Sequence, residues 1–424
     1  MKLHKLKAGS LQFAILISAI IAVLLAVFVI LVNSHTLFAK KSDLLIETIQ
    51  QADNTINYSL QDFSTARDTS FIVVDEDKNI TSKYHRSYWG MFGKVYSQSK
   101  AKTKTFEKIA LVSGWQTVTD RTSLYLKETN RSLILVGNTK IQGKAYLPKR
   151  GVRAGNISGN SYYGSQLIYG NILRSNETLP KLPKKLVDQI EVLQHMSLPI
   201  SNEDYIDIQV NKSYTNSFTK PTKTIYAKGL LAIFNVKLIG NIIVRSDTKV
   251  KIAASSVLKD VLIIAPEIEI EDNTNGVFQA IASINITIGK NCMLTYPSAL
   301  VIRAEDDLES NSNQEVKKHI FIDENTTIRG MICYLQDKTN NRFEPQLLVT
   351  KNTIIEGFVY CQQQMELIGS VYGSVYTSGF ITKQFGSVYQ NHIYKGTISS
   401  TELMDSYVGF PFENLDYKVA KWLY

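Results

Sequence analysis

Between Phe13 and Val32 the chain runs for twenty residues without a charge, a proline or a glycine, interrupted only by Ser18. As a helix at 1.5 Å per residue this stretch spans about 30 Å, the thickness of a bilayer's hydrocarbon core. A cleaved signal peptide would have an apolar region of about 7–15 residues followed by a small-x-small cleavage site. Here the chain continues as Asn33-Ser-His-Thr-Leu-Phe-Ala-Lys-Lys41, which offers no such site. The segment reads as a retained transmembrane helix over 13–32, preceded by a short basic cytoplasmic leader, 1–12. Lys2, Lys5 and Lys7 stand close before it, while Lys40 and Lys41 follow at a greater distance. This asymmetry places the N-terminus in the cytoplasm and the remainder outside, as a single-pass inner-membrane protein with an extracytoplasmic (periplasmic) domain.

Residues 33–66 form a neck. Leu45, Ile49, Ala52, Ile56, Leu60 and Phe63 recur at three- and four-residue steps, with Glu47, Gln50, Asn54, Asn57 and Gln61 opposite them. That spacing predicts an amphipathic helix of about five turns whose apolar stripe needs a partner outside the bilayer.

Beyond residue 67 the period changes. Short apolar runs such as Leu133-Ile-Leu-Val136, Ile242-Ile-Val244, Val261-Leu-Ile-Ile264 and Ala299-Leu-Val-Ile302 are rich in β-branched residues. They recur in tandem. The motif Val250-Lys-Ile252 is matched by Ile268-Glu-Ile270, Asn325-Thr-Thr-Ile-Arg-Gly330 by Asn352-Thr-Ile-Ile-Glu-Gly357, and Gly-Ser-Val-Tyr begins at Gly369, Gly373 and Gly386. Strands this short, repeated every 16–27 residues or so with glycine corners, predict a mainly β, single-stranded, right-handed parallel β-helix, in which stacked coils bury what one coil cannot. Glycine is expected at corners where a side chain would strike the next coil. A β-sandwich is the competing fold, but it would need longer strands and hairpin turns. The expected order is a β-rich first part of the solenoid (67–178), a helical interruption with a connecting strand (179–223), the main repeats (224–400) and a C-terminal cap (401–424). Leu179-Pro-Lys-Leu-Pro183 leads into the short amphipathic helix of the interruption.

Three resemblances follow from these residues. Lys5-Leu-Lys-Ala-Gly9 followed by Ser10-Leu-Gln-Phe-Ala14 and the apolar helix resembles the leader of type IV pilins and pseudopilins. That resemblance implies a peptidase cut between Gly9 and Ser10. The family's usual glutamate at the fifth mature position is replaced by Ala14. The I-x-G corners and apolar triplets of residues 225–400 resemble bactofilins, a polymer-forming cytoskeletal family, which implies end-to-end self-assembly. Leu135-Val-Gly-Asn-Thr-Lys-Ile-Gln-Gly-Lys-Ala-Tyr-Leu-Pro148 and Tyr296-Pro-Ser-Ala-Leu-Val301 are similar to stretches of uncharacterised bacterial membrane-anchored proteins, a resemblance that implies no activity.

Chemistry-bearing patterns are sparse. A globular composition, 44% hydrophobic and 20% charged, excludes a disordered chain. Three cysteines, Cys292, Cys333 and Cys361, are too few for a disulfide framework and lack zinc spacing; they read as inward-facing core residues. The six histidines are scattered. Arg303 with Glu305, Asp306, Asp307 and Glu309 is the best cluster of acids, read as a solvated surface loop rather than a calcium or lyase site. Lys249, Lys251, Glu267 and Glu269 are expected to face one another across coils. The net charge of +9 draws attention to Lys94, Lys100, Lys102, Lys104 and Lys108, and to a possible anionic-ligand patch of Lys144, Lys149, Arg150 and Arg153. No catalytic, cofactor-binding or metal-ligating residue is assigned.

The sequence therefore points to a non-enzymatic envelope protein whose β-helix is a scaffold, adhesion or assembly component, in its most specific form part of a pilus-like or secretion apparatus. Its partners would be the lipid bilayer, other assembly proteins or itself, and not nucleic acid. An exported glycan-binding or polysaccharide-degrading protein and a bactofilin-like polymer are the alternatives.

Overall fold

The computed structural model describes residues 9–61, 71–75, 80–305, 318–338, 343–413 and 415–423. It is mainly β with one long N-terminal helix, α1, Gly9–Leu60. The expected membrane helix and neck are one unbroken element. Phe13, Leu24, Phe28 and Ile30 are more than 60% exposed, as a bilayer-facing surface would be in a chain viewed without lipid. Farther on, the buried residues are Thr48, Ala52, Thr55, Ile56 and Ser59. The predicted stripe is thus partly replaced by small hydroxyl residues, while Leu45 is 45% exposed. Thr48 and Thr55 donate to the carbonyls of Leu44 and Gln51 at 2.6 and 2.7 Å, so these hydroxyls are buried without being orphaned. Phe63 lies outside the described residues.

The chain forms two compact units. The first comprises Met1–Thr55, Phe71–Tyr84 and Ser97–Glu107; the second comprises Ile56–Ser70, His85–Tyr96 and Lys108–Tyr424. Within the first, Phe71–Asp75 pairs antiparallel with Ile80 to Tyr84. The Ser82 and Ser99 hydroxyls meet at 2.7 Å, and Ser97 Oγ donates to the Ala52 carbonyl.

The second unit is dominated by a closed sheet in parallel pairings. Ser213–Asn216, Lys223–Ala227 and Leu231–Ile233 pair in parallel with Lys237–Gly240, Ile242–Ser246 and Lys249–Ile252. Three strand segments thus make one turn of chain, and the next turn lies beside it in register. Val257–Ile270 carries all three segments in one bent strand, as does Asn275–Ile288. The stacking continues through Met293–Arg303 with His319–Ile322, Thr327–Leu335 with Leu347–Val349, Ile354–Leu367 and Ser370–Gln384.

Two kinds of corner recur. Asn235, Asn273, Asn291, Asn325 and Asn352 each turn the chain at φ of 50–62°, a left-handed conformation asparagine tolerates. Asn291 and Asn352 also donate side-chain amide hydrogen bonds at 3.3 Å to Asn273 and Asn325 on the neighbouring turn. The second corner stacks Ser298, Gly330, Gly357 and Gly373 in register. A Cβ on Gly357 would stand 1.9 Å from the Gly330 carbonyl oxygen, which is the collision expected of a corner glycine.

The order of the turns differs from the linear one expected. Residues 67–178 do not open the stack. Ile80–Trp89, Phe92–Ala101 and Lys104–Trp115 form an antiparallel-type sheet of their own, joined by Asp416–Leu423, which pairs antiparallel with residues 109–115. Thr122–Leu126, Leu133–Val136 and Lys140–Gln142 instead stack on the end of the C-terminal turns, beside Val375–Thr377, His392–Tyr394 and Thr397–Ser399. Lys144–Leu147, Val152–Ala154 and Ile172–Arg174 follow beyond them. Residues 401–424 therefore do not cap the last turn; the N-terminal strands do. Residues 381–390 add an antiparallel hairpin to one turn.

The core has two layers. Inside the turns lie Val244, Val250, Ile268, Ile286, Leu300, Ile332 and Val359. On the outer side of one face lie Ile243, Leu262, Ile264, Ile281, Val301, Met331 and Tyr360. Helix α2, Lys184–His195, covers part of that outer layer with Leu186, Ile190 and Leu193, and Val408, Phe410 and Phe412 cover more. The three cysteines are buried and free, but only Cys292 and Cys361 belong to the inner core. Cys333 points the other way, into the outer layer, because it follows inward-facing Ile332 on a strand buried on both faces.

Candidate functional site

Two clefts in the second unit follow the C-terminal end of α2. The amide of Gln194 donates to the carbonyls of Ala282 and Arg303 at 2.9 and 3.2 Å, fixing the helix across two turns of the stack. Arg303 then reaches two carboxylates from different elements. Its guanidinium contacts Glu191 Oε1 at 2.6 Å and Asp337 Oδ2 at 2.6 Å, with its own side chain only 12% exposed. Burial alone would lower the Arg303 guanidinium, but the hydrogen bonds to Asp337 and Glu191 outweigh it and hold the group above its usual value. Asp337 is correspondingly held below the usual carboxylate range by Arg303.

Two cavities flank this triad. One of about 230 Å³ is lined by Gln194, His195, Arg245, Asp247, Pro266 and Glu305. The other, about 250 Å³, is lined by Glu191, His195, Arg303, Glu305 and Asp337 among others. His195 Nε2 and Glu305 Oε1, 3.3 Å apart, stand at both. Each is smaller than a pocket that engulfs a drug-sized ligand, and its charges are largely paired with one another. The arrangement can offer amide, imidazole and guanidinium donors to a small polar ligand. Among the described residues, no group of three His, Cys, Asp or Glu side chains is placed to hold a metal ion.

The anionic-ligand candidates lie on two strands and the corner between them. Lys144 opens the strand Lys144–Leu147, and its Nζ lies 3.2 Å from the Asp120 carbonyl and 3.8 Å from its carboxylate. Lys149 and Arg150 are exposed at the corner beyond, where the Gly151 amide donates to the Pro148 carbonyl at 2.7 Å. The backbone amides of Lys149 and Asn130 donate to the Glu128 carboxylate and pull it below its ordinary range. Arg153 is exposed on the following strand, Val152–Ala154. Gly9 and Ser10 are exposed at the start of α1.

Of the acid cluster, Arg303 and Glu305 are described, and both are engaged as above; Asp306, Asp307 and Glu309 lie outside the described residues. Lys249 and Lys251 do meet the neighbouring turn, both on Glu269, at 2.6 and 3.1 Å, with Lys251 also on Glu271 at 3.1 Å. Sequence reasoning missed the Glu191–Arg303–Asp337 triad. Its members are 112 and 34 residues apart, and only the packing of α2 on the stack joins them.

No family model matches the chain, and no curated protein matches it. Among solved structures it is similar to the competence-associated pilin ComZ from Thermus thermophilus, at 10% identity over 84% of this chain and 86% of that one, with a TM-score of 0.22, too low to equate the two folds.

Proposed function

We propose that this chain is a non-enzymatic, single-pass envelope protein whose extracytoplasmic body, a right-handed parallel β-helix, serves as a scaffold or assembly surface, in its most specific form within a pilus-like or secretion apparatus. The observation carrying this reading is the continuity of α1. A twenty-residue apolar surface passes without a break into a helix that buries one face, Thr48, Ala52, Thr55, Ile56 and Ser59, against protein. Signal-peptide cleavage after the apolar run would sever that element, whereas an anchor uses it as a stem, as a pilin does. The parallel registers support the β-helix, and right-handed winding is the sense strongly favoured by parallel crossovers.

Retention of the intact chain in alkaline carbonate-washed membranes, with residues beyond 40 open to protease in intact spheroplasts, is the expected result. Release by carbonate, or protection of the body, overturns the reading. Mass determination of the N-terminus separates its versions: a chain beginning at Ser10 supports the pilus-like one, and an intact Met1 removes it.

One feature favours self-assembly as a second reading. Among the described residues, Ile172–Arg174 pairs with Ala145–Leu147, and its Ile172 and Leu173 are 54% and 41% exposed. A free apolar edge of this kind is a template for another strand. Filaments forming with rising concentration, and lost on Ile172→Lys, would support it; a monomer at every concentration would remove it.

A further inference from the structure

We infer that the hairpin tip carrying Lys100, Lys102 and Lys104, together with Lys40 and Lys41 on α1, forms a juxtamembrane cationic collar that binds the anionic phospholipid headgroups of the leaflet facing the body. The inference rests on the anchored reading above and goes beyond it by assigning a lipid-binding site to the first compact unit.

The geometry comes from that unit alone. Ser97 Oγ donates to the Ala52 carbonyl at 3.1 Å, which fixes the strand Phe92–Ala101 against α1 at that level. Farther back along the helix, Thr48 is fully buried and Leu44 and Ser42 are half-buried. On this placing the strand continues past Ser97 toward the apolar segment. Its Ser99 and Ala101 are buried, as are Ser82 and Ile80 on the strand beside it. The strand then turns at Lys102, whose φ is 53°, and returns from Lys104.

Ala52 is twenty residues beyond Val32, about 30 Å along the helix. Lys102 is five residues beyond Ser97, which recovers about 16 Å of that distance. Of the remaining 14 Å or so, the headgroup zone fills roughly 6 Å. The rest is about one Debye length at physiological salt, before the lysine's own reach is counted. Lys40 and Lys41, eight and nine residues past Val32, stand at the same level. All five lysines are exposed. Among the described residues of these segments the exposed carboxylates are Asp43 and Glu107, and Glu107 is held by Gln98 at 2.7 Å. Basic residues so near an anionic surface each change binding about five-fold.

The test uses the full chain in nanodiscs of phosphatidylcholine alone or with one third phosphatidylglycerol, carrying a fluorophore at Thr103→Cys and a headgroup spin label as quencher. Quenching at least two-fold stronger in the anionic discs is expected. It should fall to the neutral-disc level at about 0.5 M salt, where screening is short-ranged, and in the Lys100→Gln, Lys102→Gln, Lys104→Gln variant. Equal quenching in both lipids, or a response unchanged by salt, overturns the inference. Failure of the chain to enter either disc would instead refute the anchor, so the two failures are distinguishable.

Discussion

Lys421 Nζ lies 2.6 Å from Asp260 Oδ1, joining the last strand of the chain to a corner in the middle of the parallel stack. The pair is 23% and 10% exposed, so water screens it little. Asp260 sits at φ 62°, an unusual conformation for a residue with a side chain, and its carbonyl also accepts from Trp89 Nε1 at 3.3 Å. Lys421→Met should cost about 2 kcal/mol by leaving the carboxylate without its partner. Asp260→Asn keeps a residue that tolerates this backbone. A double-mutant cycle by denaturant unfolding should return a coupling of about 1–2 kcal/mol; a coupling near zero would show the contact to be incidental.

Gly357→Ala should be among the most damaging single changes in the body. The new Cβ meets the backbone of the preceding turn, 1.9 Å from the Gly330 oxygen, and that backbone cannot yield without shifting its neighbours. A loss of about 4 kcal/mol or more is expected, read as a large fall in Tm or in soluble yield. Gly386→Ala is the comparison, because nothing lies within 4 Å of its Cβ and only its φ of 75° opposes the substitution. It should cost about 1 kcal/mol.

Ile190→Ala should loosen α2 selectively. Ile190 is fully buried against the outer apolar layer, and truncation there should cost about 3 kcal/mol. Limited proteolysis should cut first between residues 179 and 200 while the parallel stack survives. Cleavage distributed over the whole chain would mean that the helix and stack unfold as one.

Glu366 offers a pH test. Burial raises its carboxyl above the ordinary value, although the Lys383 amide donates to it at 2.8 Å. Between the unfolded and folded values the folded chain binds more protons. Stability is therefore greatest below that window and declines as pH rises through it. Glu366→Gln should raise Tm at pH 8 and leave it nearly unchanged near pH 4, as followed by thermal scans. A variant that is less stable at both pH values would show that the carboxylate's hydrogen bond outweighs its burial.

Much of this architecture was written in local spacing. Val250-Lys-Ile252 and Ile268-Glu-Ile270 alternate because one side of those strands meets water, and their lysines and glutamates meet across turns as expected. The unbroken run Met331-Ile-Cys-Tyr-Leu335 carried a second message, burial on both faces, which places Cys333 outside the inner core. Asparagine at every turn from Asn273 to Asn352 was an equally local signal for left-handed corners, beside the glycines.

What spacing could not reveal was order. Nothing near Leu124 states that its neighbour is Val375, and nothing near Glu191 names Arg303. These contacts depend on where α2 and the connecting segments run. For the same reason Lys144, Lys149, Arg150 and Arg153, close in sequence, are distributed over two strands and a corner.

The splicing of residues 122–126 beside residues 375–377 also sets a schedule for biosynthesis. A ribosome must add roughly 250 further residues before the early strands acquire their neighbours, a wait on the order of tens of seconds at ordinary elongation rates. Through that interval Thr122–Leu126 would present an unpaired edge to whatever is nearby. A chain so ordered places a premium on factors that shield nascent β-segments, and truncation before Val375–Thr377 would leave Thr122–Leu126 without that place to dock.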